Sequence, residues 1–175
     1  MLEDMENTTQ TSSLTPMVAL MQYKHWADAE LLRAVTALPD LGTAVEGQYV
    51  TAIIRHFHTV DCIFRAHLLG VRHDYTSVNP PEPAALSELA QRVAAVDEWL
   101  VDYARHLEPH KLAEVLRVKF TDGQERLLSR ADILLHVALH GTYHRGNIGV
   151  LLRTLGAEQP ADGFTTYLRE DTLTR

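Results

Sequence analysis

The sequence is poor in three features whose scarcity excludes whole classes of protein. Its 175 residues include one cysteine, Cys62, so no intrachain disulfide can form and a reducing, cytoplasmic setting is the simplest expectation. No run of about eighteen apolar residues occurs, so we expect no membrane-spanning segment. Positive charge is scarce, because 16 Lys and Arg oppose 23 Asp and Glu for a formal net charge of -7, which argues against nucleic acid as a partner.

The N-terminal residues also lack the basic start and apolar centre of a secretory signal. They are polar and acidic, so we predict a disordered tail over residues 1–13. The remaining residues 14–175 are predicted to form a single domain. A hydrophobic content of 46% is enough for one core, and no second block of distinct composition follows.

Four stretches show the apolar spacing of amphipathic helices. The predicted helices are residues 16–37, a second helix ending at residue 69, residues 88–107 after a Ser87 cap, and residues 130–155. Pro16 suits the first position of a helix, and Ser129 with Asp132 forms a capping box for the last. The start of the second helix is left open between residues 43 and 50, because Gly47 disfavours regular helix.

A short segment before the last helix has a different pattern. Residues 115–120 alternate between apolar and polar side chains, and Asp122-Gly123 is a strong hairpin turn. We therefore predict an all-α fold, a four-helix bundle, with a small β-hairpin before the last helix. After it, Phe164, Tyr167 and Leu168 are expected to dock the polar C-terminal segment on the bundle.

The predicted last helix carries three histidines at intervals of four residues: His136, His140 and His144. A step of four keeps them on one face of a helix, and neighbours are separated by a rise of about 6 Å. Two neighbours can converge on one ion, whereas the outer pair, about 12 Å apart, cannot. This helix therefore supplies two ligands, and a third must come from elsewhere.

The second helix offers the missing nitrogen. His56 lies on its buried face, His58 is rotated by about 200° and is predicted to be solvated, and His67 is about 16 Å further along the axis. The best set is His56, His140 and His144, three imidazoles that leave coordination positions open for water or substrate. Such a set suits a divalent metal ion, Zn²⁺ first, with Ni²⁺, Fe²⁺ or Cu²⁺ as alternatives.

Other residues near this set have structural readings beside functional ones. Gly141 stands where a zincin protease motif has its general-base glutamate, so peptidase chemistry is not supported. Arg145 is a candidate for holding an anionic substrate or for a structural ion pair. Asp61 points away from His56 and is expected to pair with Arg145 or another cation, and Cys62 is expected to pack. His136 either orients the site or makes a core hydrogen bond.

Three segments together resemble a known family. They are Tyr23-Lys-His-Trp-Ala-Asp28, Arg55-His-Phe-His-Thr-Val-Asp61 and His136-Val-Ala-Leu-His-Gly-Thr-Tyr-His-Arg-Gly-Asn147. They look like the DinB/YfiT superfamily of metalloenzymes, and the resemblance spans nearly the whole chain. It implies a four-helix bundle, often dimeric, that binds a divalent metal through the residues that match His56, His140 and His144. Arg55 and Asn147 depart from the family pattern, where asparagine and glutamine are frequent.

The resemblance also implies an activity. Relatives of this kind transfer a low-molecular-weight thiol, such as bacillithiol or mycothiol, so we expect a small-molecule substrate of that class and a homodimer. Three histidines and an open position would equally serve a metal-dependent hydrolase. A non-enzymatic, stress-associated metal-binding protein is a further alternative, and so is a structural bundle without a metal.

Overall fold

The computed structural model describes residues 2–38, 41, 44–81 and 85–173. Its elements, in chain order, are helix α1 (Leu2–Thr36), α2 (Val45–Leu69), α3 (Leu86–His106), a short 3₁₀ helix (Pro109–Ala113), strands β1 (Val115–Lys119) and β2 (Glu125–Ser129), α4 (Arg130–Thr154) and α5 (Phe164–Leu173). The predicted helical bundle with a hairpin before its last long helix is confirmed. In the described part of the chain, no helix combines the length and apolar character needed to cross a membrane.

The four long helices bury one another's apolar faces. α1 packs on α3 and α4, while α2 packs on α4 and α3. One apolar cluster lies toward the hairpin, around Phe64, Leu100 and Ile133, and a second lies toward the other end, around Phe57 and Ile148. This arrangement sets α2 and α4 side by side, so inward polar side chains of these helices can meet.

The ends of α2 show how local chemistry sets a helix boundary. The helix begins at Val45, near the early end of the predicted window, and Thr43 lies outside the described residues. A Cβ on Gly47 would lie 1.6 Å from the carbonyl oxygen of Leu41, so the connection into α2 requires a residue without a side chain there. Gly70 closes the helix in the left-handed conformation, with φ of 70°, where glycine is favoured.

Two other helix starts test the capping predictions. The capping box of α4 is present: the Ser129 side chain accepts from the backbone N–H of Asp132, and the Asp132 carboxylate accepts from the backbone N–H of Ser129. The predicted Ser87 cap of α3 is wrong. That helix begins at Leu86 after Ala85, whose side chain cannot cap, because helix packing fixed the start without a side-chain hydrogen bond.

The two chain ends add helix to the predicted bundle. α1 begins at Leu2, so it is longer than the helix predicted from Pro16, and the proline lies inside it. A disordered tail over residues 1–13 stays a prediction about the chain in solution. At the other end α5 docks as expected through Tyr167, which is 8% exposed and packs on Tyr23. Phe164 and Leu168 remain 40% and 42% exposed.

The hairpin is antiparallel and pairs Val115 with Ser129 and Lys119 with Glu125. Gly123 has a φ of 84°, a conformation that favours glycine at the turn. Val118 is fully buried and anchors the hairpin to the apolar cluster around Phe64, whereas Leu127 remains exposed. The hairpin therefore covers the C-terminal end of α2.

Candidate metal centre

His56 on α2 and His140 and His144 on α4 meet between the two helices, and we call these three residues the histidine cluster. Their candidate ligand atoms all lie within 4.8 Å of one another. The Nε2 atom of His140 lies 3.2 Å from Nε2 of His56 and 3.1 Å from Nε2 of His144. Nitrogens that share an ion at about 2.1 Å stand roughly 3.0 to 3.4 Å apart for right-angle to tetrahedral geometry. The two short separations fit that range.

Hydrogen bonding fixes the tautomer of His56. Its Nδ1 atom lies 3.2 Å from the carbonyl oxygen of Val78 and 3.1 Å from Oδ1 of Asn79. Both partners are oxygen acceptors, so Nδ1 carries the hydrogen and, in the neutral ring, Nε2 carries the lone pair. That lone pair faces His140, which is the orientation that a metal ligand requires.

The charge state of the cluster favours cation binding. Burial, and then the neighbouring histidines led by His144, lower the pKa of His140 to about 3. Burial, and then His56, also lower the pKa of His144. Neutral rings offer lone pairs, and a single proton on His140 Nε2 could bridge to one neighbour only. His140 and His144 can therefore accept a positive ion without first losing protons.

The remaining histidines near α2 and α4 lie outside the cluster. His136 stacks on His140 with ring centroids 5.3 Å apart and also contacts Phe64, so it borders the cluster without joining it. The prediction that His58 is solvated is wrong: it is 8% exposed and lies 3.6 Å from the sulfur of Cys62. His58 therefore lies on a second buried side of α2, which the single apolar face used for the prediction did not include.

A second polar group lies buried in the same bundle. Lys24 is fully buried, and its Nζ atom lies 2.8 Å from Asp28, 2.8 Å from Asp61 and 2.5 Å from Asp97. Arg145 extends the group to a sixth member, Asp162. We call this set the charge cluster, and its residues are Lys24, Asp28, Asp61, Asp97, Arg145 and Asp162.

Arg145 ties three parts of the chain together. Its Nη1 donates to Asp28 at 2.7 Å and its Nε donates to Asp162 at 2.8 Å. Tyr23 donates its hydroxyl hydrogen to Asp162 and accepts a hydrogen bond from Nη2 of Arg145. The structure thus gives Arg145 the structural ion pair that was one of its two readings, and the pair fixes the segment before α5 on the bundle.

The carboxyl groups of the charge cluster are not equivalent. Burial opposes ionisation of Asp28, but Lys24 and Arg145 outweigh it and hold its pKa at about 2. Burial raises the pKa of Asp61 to about 6, although Lys24 lowers it, and burial raises the pKa of Asp97 well above its ordinary value. The Asp61 Oδ1 and Asp97 Oδ2 atoms are buried without hydrogen-bond partners among the described residues. Asp28 is therefore the compensated carboxylate of the three.

The two clusters approach each other at Gly141. A Cβ on this residue would lie 3.0 Å from Nη1 of Arg145 and 3.6 Å from the Cε atom of Lys24. Because Gly141 has no side chain, Arg145 and Lys24 can lie close to the backbone beside the ligand candidate His140. Gly141 cannot act as the general base that a glutamate provides in a zincin motif, as the sequence indicates.

Cys62 does not offer a nucleophile. Its thiol is packed beside the apolar cluster, and burial raises its pKa, so the thiolate is disfavoured. The sequence-based expectation that this residue packs agrees with that position. A reacting sulfur would therefore have to come from a substrate.

The fold and the site together define a class of protein, a helical bundle in which three histidines from two facing helices converge. A model of the DinB family matches residues 5–173, and the chain belongs to that family. No curated protein matches the chain. A crystal structure of a DinB-like protein from Bacillus cereus is similar, with a TM-score of 0.61 and 18% sequence identity over 80% of this chain and 91% of that one. At this identity the likeness shows the fold alone.

Proposed function

We propose that the histidine cluster binds a divalent metal ion and that the protein uses it to transfer a low-molecular-weight thiol to an electrophile. The observation that carries the proposal is the convergence of three candidate ligand atoms within 4.8 Å from two separate helices. Neutral imidazoles suit Zn²⁺ best, and Ni²⁺ or Fe²⁺ are alternatives. A bound divalent cation supplies the positive charge that stabilises a thiolate near neutral pH.

The chain's own residues supply the geometry of such a site. Nδ1 of His56 donates to the oxygens of Val78 and Asn79, and this contact keeps the lone pair on Nε2 directed toward His140. In the reaction the thiol loses its proton to water, its sulfur forms a bond to the electrophilic carbon, and the leaving group departs with the bonding electrons. Because the pKa of the buried Cys62 thiol is raised, we assign the reacting sulfur to the substrate.

Turnover separates the proposed enzyme from a binding protein. We would measure halide release from a chlorinated nitrobenzene with bacillithiol, mycothiol or cysteine, using zinc-loaded protein and the His144→Ala variant. His106→Ala is the matched control, because His106 is exposed on α3 and outside the cluster. We expect a rate at least about a hundredfold above the variant, since losing one ligand removes most of the metal affinity.

The alternatives give distinct outcomes in the same assay. Equal rates in the wild type and His144→Ala would contradict thiol transfer. Hydrolysis of an ester substrate that also depends on His144 would favour the hydrolase. Stoichiometric metal with neither activity would favour a metal-binding protein without catalysis, and no stoichiometric metal would favour the structural bundle.

The homodimer expected from the resemblance has a candidate surface on α4, and we propose that a second copy covers it. Leu139 and Tyr143 are each 66% exposed and Val150 is 52% exposed, all on one side of the helix next to the histidine stripe. Light scattering should find a dimer that Leu139→Glu dissociates. Leu127→Glu on the hairpin, where the side chain is equally exposed, should leave the dimer intact, and a monomeric wild type would contradict the proposal.

A further inference from the structure

A cavity of about 770 Å³ lies between the end of α2, the loop that follows it and the β-hairpin. It is separate from the histidine cluster, since none of those three histidines lines it. His67, which does line it, stands eleven residues beyond His56, or about 16 Å along the helix axis. A volume of this size is typical of small-molecule sites. The proposed metal centre does not account for it.

The cavity is basic although the chain is acidic. Three cationic side chains line it, those of Arg72, Arg117 and Lys119, and Asp74 is the single carboxylate among the lining residues. The whole chain has a formal net charge of -7, so this local excess is opposite in sign. A concave surface of one sign concentrates the electric field and raises the local concentration of ions of the other sign. The cavity therefore favours an anion.

Arg117 is the weakest of the three cations as a ligand contact. Its Nη1 atom already pairs with the carboxylate of Glu125 at 3.0 Å, so an incoming anion would have to compete with that carboxylate. The structure records no carboxylate pair for Arg72 or Lys119 among the described residues. These two side chains are thus the best placed to meet an incoming anion.

Two histidines at the cavity wall have defined roles. Nε2 of His67 and Nε2 of His73 lie 3.2 and 3.4 Å from the carbonyl oxygen of Lys119, so each Nε2 donates its hydrogen. In the neutral ring of His73 this leaves Nδ1 as an acceptor. That atom is buried and has no hydrogen-bond partner among the described residues. A hydroxyl group on a ligand would satisfy it.

We propose that this cavity binds a small hydroxylated anion, a hydroxycarboxylate or a phosphate ester. Arg72 and Lys119 contact its carboxylate or phosphate oxygens, and Nδ1 of His73 accepts a hydrogen bond from its hydroxyl. The loop over residues 71–76 lines the cavity, and Val78 and Asn79 further along the same loop hold His56. A ligand here thus touches the segment that supports the histidine cluster, although its binding requires no metal.

The test uses citrate and glycerol phosphate as probes and glycerol as the uncharged control, each titrated into ¹⁵N-labelled full-length protein at constant ionic strength. Amide chemical shifts report both affinity and place. The cavity variant is Arg72→Gln with Lys119→Gln, and both side chains are exposed, so folding should be retained. Arg126→Gln is the matched control, because Arg126 lies on the same hairpin but does not line the cavity.

We expect saturable shifts with citrate, glycerol phosphate or both, concentrated at residues 67–76 and 117–123, and none with glycerol. Saturation by one probe alone identifies the acid group. Affinity should fall at least about tenfold in the double variant and stay unchanged in Arg126→Gln. Should the double variant fail to fold, each single variant should lose about threefold. Failure of both probes to saturate by about 10 mM, or equal affinity in wild type and cavity variants, would overturn the proposal.

Discussion

The histidine cluster and the charge cluster occupy the same bundle and differ in how their polar groups are satisfied. In the charge cluster each cation meets carboxylates: Lys24 contacts three, and Arg145 contacts Asp28 and Asp162. In the histidine cluster, nitrogen faces nitrogen at 3.1 and 3.2 Å with no opposite charge between them. The first arrangement pairs opposite charges within the protein, although Asp61 Oδ1 and Asp97 Oδ2 have no hydrogen-bond partner among the described residues. We propose that a cation completes the second.

Because of this contrast, we expect the charge cluster and the histidine cluster to affect different properties of the protein. A buried charge that loses its partner is costly, so removing the Asp28 carboxylate from the charge cluster should destabilise the fold. Converging imidazoles without a charged partner contribute little to the metal-free fold, and we propose that these three bind an ion. Mutations in the charge cluster should therefore change stability, while mutations in the histidine cluster should change metal affinity.

The largest expected effect on stability comes from Asp28→Asn. This substitution removes the carboxylate shared by Lys24 and Arg145, so we expect a loss of about 3 to 5 kcal/mol in the free energy of unfolding. His140→Ala in the metal-free protein should cost about 1 kcal/mol or less, because no hydrogen bond to an opposite charge is lost. Urea denaturation in the presence of a chelator measures both.

Asp102→Asn is the control for this comparison, since Asp102 forms an exposed pair with Arg105 on the surface of α3. It should change stability by less than about 0.5 kcal/mol. If Asp28→Asn lost as little stability as Asp102→Asn, the ion pairs of Asp28 with Lys24 and Arg145 would not stabilise the fold.

The next effect is a pH dependence that belongs to Asp61. Its pKa is about 6 in the folded protein against an ordinary value of 3.8, so the folded state binds the proton more tightly and ionisation costs stability. The penalty is absent below about pH 3.8, grows as the pH rises toward 6 and is complete above it. A shift of this size corresponds to about 3 kcal/mol.

Asp61→Asn isolates that contribution. We expect the variant to gain about 3 kcal/mol relative to the wild type between about pH 4 and pH 7, measured by urea denaturation of the metal-free proteins at each pH. Asp102→Asn makes the same change in net charge at the surface and serves as the reference. A difference between Asp61→Asn and wild type that stays constant with pH would refute the raised pKa.

The smallest effect concerns two glycines of α4: Gly141, at the contact between the clusters, and Gly146, outside it. A Cβ on Gly146 would meet no atom within 4 Å, so Gly146→Ala should raise the stability by about 0.5 to 1 kcal/mol through helix propensity. Gly141→Ala should lose that gain, because its Cβ would crowd Nη1 of Arg145 at 3.0 Å. Thermal melts of the two variants check this. Equal gains in stability would mean that the Arg145 side chain moves away from the added Cβ at little cost.

The same comparison explains what the sequence could predict. Helix spacing and local caps are written in consecutive residues, so the four long helices, the hairpin and the Ser129 capping box were accessible. The meeting of His56 with His140 and His144 followed from periodicity plus the rule that bundle sites form on facing helices. Their role as metal ligands stays a prediction.

The charge cluster was not accessible in the same way. Asp97 and Asp162 come from α3 and the segment before α5, and nothing local indicates that they point at Lys24 or Arg145. One signal was available: Lys24 occupies a position of the buried stripe of α1, between Met21 and Ala27, where a cation requires buried partners. The burial of His58 was missed for a related reason, since it depends on contacts beyond its own helix.

The central claim is that His56, His140 and His144 form one site for a divalent cation. Calorimetric titration of chelator-treated protein with Zn²⁺ tests it directly, comparing wild type, His56→Ala and the control variant His106→Ala. We expect one ion per chain in the wild type and the control, and affinity at least about a hundredfold lower in His56→Ala. Absence of stoichiometric binding to the wild type, or unchanged affinity in His56→Ala, would contradict the account.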